Sequence, residues 1–103
     1  MSEPETKIPF FIPEKLATWL NEAHEHPWLK ENLREAPRTT RGRGHSVHLT
    51  LTPYRTRALR AILQGDASEM EDGGITTREV GMRHEAVLRI IDRIDRALRK
   101  AQA

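Results

Sequence analysis

One hundred and three residues with 37% apolar content make one domain with a modest core, and a domain of this size gains from association. The absence of cysteine excludes disulfides, a thiol nucleophile and a thiolate zinc site, and leaves the cytoplasm as the expected compartment. The longest apolar run is Phe10-Phe11-Ile12, so no membrane span is expected, and the acidic start MSEPETKIP is unlike a secretory signal.

In chain order, residues 1–7 read as disordered. Ile8 to Ile12 is apolar and bracketed by Pro9 and Pro13, which makes it extended and a short edge strand at most. A helix follows from Glu14 to about His24, with Leu16, Trp19, Leu20 and Ala23 on one face. Pro27 starts a second helix that ends at Glu35 before Pro37. Residues 36–45 read as a basic linker or arm. Val47, Leu49 and Leu51 then alternate with Ser46, His48 and Thr50, the pattern of a half-buried strand over about 46–51.

Thr52-Pro53 is a cap and first-turn pair for a helix to about Gln64, with Ala58, Ala61 and Ile62 opposite Arg57, Arg60 and Gln64. Glycines at 65, 73 and 74 enclose what reads as a flexible acidic loop. From Thr76 a long helix runs to about Ala101. Val80, Val87, Ile91, Ile94 and Leu98 form its apolar seam, suited to a helical hairpin or a two-helix dimer. The expected fold is therefore mainly α: a helical segment 1–35, the linker 36–45, and a strand with a helical hairpin over 46–103. A lone strand needs a partner, either the same strand of a second chain or IPFFI.

The net charge of +2 conceals blocks. Residues 36–64 carry six arginines and no carboxylate, whereas residues 65–74 carry four carboxylates and no base. In the last helix Glu79–Arg83, Glu85–Arg89, Asp92–Arg96 and Asp95–Arg99 stand at i,i+4 with the acid first, each worth about 0.2–0.5 kcal/mol. Arg38, Arg41, Arg43, Arg55, Arg57 and Arg60 have no such local partner. Either an acidic part of the chain folds over them or a polyanion does.

Arg41-Gly42-Arg43 resembles the core of an AT-hook, which implies contact with a narrow minor groove. From Val47 onward the order strand, Thr-Pro start, helix, glycine, helix resembles a ribbon-helix-helix DNA-binding domain. That resemblance implies a homodimer pairing its strands, with Val47, Leu49 and Leu51 facing the core and His48 and Thr50 nearest the bases. It also implies a phosphate held at the helix start by Thr76 and Thr77. LTPYRTRALRAIL followed by GITTREVGMRHEAVLRII resembles a helix-turn-helix instead, with Gly81 as the turn, although an uninterrupted helix explains the same residues more simply.

No catalytic spacing is legible, so no enzyme is expected. The histidine pairs His24/His26 and His45/His48 lack a third ligand, so neither a metal nor a cofactor is expected. The expectation is a DNA-binding repressor or accessory factor, with Arg38, Arg41 and Arg43 on phosphate or minor groove and Arg55, Arg57 and Arg60 along the backbone. The rival is a protein-binding module, antitoxin-like or inhibitory, whose residues 14–35 carry the partner surface.

Overall fold

The computed structural model describes residues 7–41 and 44–102. In chain order it contains β1 (Ile8–Pro13), α1 (Glu14–Ala23), α2 (Pro27–Glu35), β2 (Arg38–Arg41), β3 (Gly44–Leu51), α3 (Pro53–Gly73) and α4 (Arg78–Gln102). The chain is mainly helical and carries one antiparallel sheet in the order β1-β3-β2. The readings made for residues 1–6, Gly42 and Arg43 lie outside the described residues.

The single strand expected at 46–51 is the middle of three. β1 pairs with it from Ile8↔Leu51 to Pro13↔Ser46, and β2 pairs with its start from Arg38↔Val47 to Arg41↔Gly44. Pairing with the same strand of a second copy would displace one of these neighbours. The His48 N–H donates to the Pro37 carbonyl, so the polar groups of His48 point toward β2. Antiparallel alternation then turns Val47 and Leu49 toward Ile12 and Phe10, and leaves Pro9, Phe11 and Pro13 with their backbone groups outward. Two of those three residues have no N–H. The spacing of the prolines therefore makes IPFFIP a strand that bonds inward and resists pairing outward.

Residues 38–41 correct the reading of 36–45 as a linker, because RTTR is a strand with no apolar residue to announce it. It is an edge whose side chains at Arg38, Thr39 and Thr40 are exposed, so nothing selects for alternation. The Thr40 hydroxyl lies 3.2 Å from His45 Nδ1 across the strand pair.

One apolar core takes its buried side chains from both sides of residues 36–45, which among the described residues add only the half-buried Ala36 at its edge. Ile8, Phe10 and Ile12 of β1 meet Val47, Leu49 and Leu51 of β3 on the inner sheet face. Leu16, Ala17 and Leu20 of α1, Leu29 and Leu33 of α2, Leu59 and Leu63 of α3, and Val87, Ile90 and Ile94 of α4 complete it.

The acidic segment expected as a loop is helix, since α3 continues to Gly73. Thr56, Leu59, Leu63, Asp66 and Ala67 are buried at spacings of three and four, so the buried stripe crosses Gly65 without a break. Packing of that stripe outweighs the roughly 1 kcal/mol that glycine costs a helix interior. The buried stripe also differs from the expected one, for Ala61 is exposed and Ala58 and Ile62 are half-buried. The turn comes at Gly74, where φ is +79°, and its N–H closes on the Glu71 carbonyl at 3.2 Å. α4 then runs unbroken through Gly81, which is therefore no turn between two helices. A Cβ on Gly81 would stand 3.3 Å from Ile75 Cγ2, so the missing side chain gives Ile75 room to fold onto the helix.

Candidate nucleic-acid interface

The register of the sheet fixes two faces. Residues opposite one another share a face, so Pro9, Phe11 and Pro13 of β1 lie with Ser46, His48 and Thr50 of β3, and Thr39 of β2 joins Ser46. This outer face holds no carboxylate among the described residues. At its centre the Phe11 and His48 rings stack with centroids 4.5 Å apart and planes within 16°. His48 is half-buried by that contact while Thr50 and Thr39 are exposed. Beside them a recess of about 150 Å³ lies between the end of α2 and β3, lined by Asn32, Glu35, Ala36, Pro37, His48, Leu49 and Thr50. Glu35 brings one carboxylate to that rim.

Arg38, Arg55, Arg57 and Arg60 of the acid-free block do not form one surface. Arg38 lies opposite Val47, hence on the other face from His48, and donates to the carbonyls of Ala36 at 3.0 Å and Leu33 at 3.2 Å. It satisfies the open carbonyls at the C-terminal end of α2, where a cation is favoured. Arg60 is held by Asp95 of α4 through two bonds of 2.6 and 3.3 Å. That hydrogen bond, and then the charge behind it, raise the Arg60 pKa above its ordinary value. Neutralisation within the chain thus claims Arg60, from an acid 35 positions away that local spacing assigned to Arg99. Arg99 instead donates to the Asp95 carbonyl.

Arg55 stacks over Trp28 at 4.8 Å and lies 5.9 Å from the Tyr54 ring centroid, with no carboxylate partner among the described residues. Arg57 is exposed and also has no ion-pair partner there. Arg41 is described by its backbone, opposite Gly44. Of the i,i+4 pairs expected in α4, Glu79–Arg83 and Asp92–Arg96 are present at 3.3 and 3.1 Å.

The expected phosphate site at the start of α4 is partly occupied by the chain's own capping. The Thr77 hydroxyl accepts the Val80 N–H at 3.1 Å, while Thr76 is exposed. Along the expected seam Val87, Ile91 and Ile94 are buried in the core, Leu98 packs against it half-buried, and Val80 is half-buried. Between Val80 and Val87, where the seam has no apolar residue, His84 Nε2 donates to Glu71 at 3.0 Å.

Sequence spacing missed the contacts that join distant segments. His24 Nε2 donates to both carboxylate oxygens of Asp66, at 2.9 and 3.1 Å. Arg93 donates to the Phe11 carbonyl at 2.6 Å, tying α4 to the outward edge of β1. Trp19, His24, His26 and Trp28 form a chain of ring contacts 6.1 to 6.3 Å apart, with Arg83 over Trp19 at 4.9 Å and Arg55 over Trp28. Among the described residues no group of three or more histidines and carboxylates is placed to hold a metal ion, and no helix is long and apolar enough to cross a membrane.

Comparison with family models, with curated proteins and with solved structures returned no match. Function is therefore read from the geometry of the chain alone.

Proposed function

We propose that the chain is a small non-enzymatic DNA-binding protein, a repressor or accessory factor, that meets DNA with the outer sheet face and the β2–β3 arm. The observation that carries this reading is the carboxylate-free outer face, with its stacked Phe11 and His48 rings and the hydroxyls of Thr39, Ser46 and Thr50. Arg41 and Arg43 border that face in sequence and supply the cations for phosphate, which dominates affinity. His48 and Thr50 stand nearest the bases. Arg38 and Arg60 leave the DNA-facing set because α2 and Asp95 already hold them.

Binding of mixed-sequence duplex DNA over a salt series tests the reading. Affinity falls steeply as salt rises, and replacing Arg41 and Arg43 with alanine reduces the slope by about 0.9 for each phosphate that is no longer neutralised. A chain that fails to bind even at low salt removes the proposal.

A second reading has its own observation. The ring chain from Trp19 to Trp28, flanked by Arg83 and Arg55, lies on the helices expected to face a protein partner. Half-buried tryptophans beside arginine are the residue types that anchor protein contacts. Loss of partner capture in Trp28→Ala, with DNA binding unchanged, would support this surface as separate from the first.

A further inference from the structure

Among the described residues the outward face of α3 is exposed, and its charges are ordered. Arg57 and Asp72 are both exposed, and neither has an ion-pair partner among the described residues. Between them Ala61, Gly65 and Ser68 are exposed on the same side of the helix at spacings of three and four. At its start stands Tyr54, 73% exposed. We propose that this face pairs with the same face of a second copy, the two α3 helices antiparallel about a two-fold axis between Gln64 and Gly65.

Charge complementarity selects both the occupant and its direction. Positions 57 and 72 lie equally far from that axis, about 11 Å along the helix at 1.5 Å per residue. An antiparallel partner therefore sets each Arg57 beside the other copy's Asp72, forming two symmetric ion pairs. A parallel partner would set arginine on arginine and aspartate on aspartate. Such self-complementarity is what a two-fold interface requires. Ala61 meets Ser68 and Gly65 sits next to the axis, where a Cβ would find nothing within 4 Å in the single chain. The helices can then approach closely, so the ion pairs span a short gap. This surface differs from the cross-chain strand ribbon that the sequence resemblance implied. It takes Arg57 out of the DNA-facing set and does not depend on DNA binding.

Sedimentation velocity over a concentration series, without DNA, tests the pairing in the intact chain. The wild type is a dimer. Arg57→Asp alone places aspartate opposite Asp72, Asp72→Arg alone places arginine opposite Arg57, and each weakens self-association about tenfold or more. Mixing the two variants restores the dimer, because each chain then offers the complement of the other at both positions. Circular dichroism of the singles matches the wild type, since both positions are exposed. A wild type that stays monomeric, a dimer indifferent to either reversal, or a mixture no more associated than its components overturns the proposal.

Discussion

His24 closes on Asp66 across 42 positions of sequence, with Nε2 at 2.9 and 3.1 Å from the two carboxylate oxygens. Asp66 is 7% exposed, so this contact satisfies a carboxylate that helix packing has withdrawn from water. His24→Ala leaves that carboxylate without its partner and costs about 1–3 kcal/mol of stability. The double variant with Asp66→Ala costs less than the sum of the two singles. Urea unfolding of all four proteins measures the coupling, and additive losses would show that the contact contributes nothing.

The proposed DNA reading predicts that Arg60 and the pair Arg41 and Arg43 behave differently on replacement. Arg60→Ala breaks a half-exposed ion pair and lowers stability by up to about 1 kcal/mol. Its salt slope for DNA stays that of the wild type, whereas the Arg41 and Arg43 replacement flattens it. A slope equally reduced by Arg60→Ala would return that arginine to the DNA-facing set.

Pro9 and Pro13 protect the β1 edge. Replacing both with threonine restores two outward N–H groups and turns the edge into a template for another strand. Light scattering should rise with protein concentration for this variant and not for the wild type, while the near-ultraviolet spectrum is unchanged. Equal scattering from the two would assign the protection elsewhere.

Two leucines test the buried stripe of the hairpin. Leu63 is fully buried and Leu88 is 42% exposed. Leu63→Ala costs about 2–5 kcal/mol through the cavity it leaves, whereas Leu88→Ala stays within about 0.5 kcal/mol. Thermal or urea unfolding reads the difference, and equal losses would contradict the packing of α3.

The parts of the fold legible in sequence are those where local chemistry and tertiary role agree. Pro27 and Pro53 begin α2 and α3, Pro13 stands just before α1, and the alternation at Val47, Leu49 and Leu51 marks the inner face of β3. β2 was not legible because an exposed edge strand leaves no apolar period. The extent of α3 was hidden by Gly65 and by acids whose helical state depends on Leu59 and Leu63 packing elsewhere. In the candidate site the outward set of Ser46, His48 and Thr50 follows from period two, but Phe11 stacking on His48 requires knowing that β1 is their neighbour. Arg60 illustrates the same boundary. Its partner lies on another helix, and an i,i+4 reading has no access to it.

The place of β1 sets an order of assembly. β2 and β3 are nearly contiguous in sequence, with Arg41 opposite Gly44, whereas Ile8 must find Leu51. The entropy of closing a loop grows with its length, and contacts of long separation slow the search. By loop length the β2–β3 pair and the α3–α4 hairpin are the less costly closures, and the expected order has the N-terminal strand dock last. Until it arrives, the side of β3 that β1 will occupy is an open, apolar-backed template. In that order the edge of β3 is open to capture by another copy until Pro9 and Pro13 arrive with the last piece to be added.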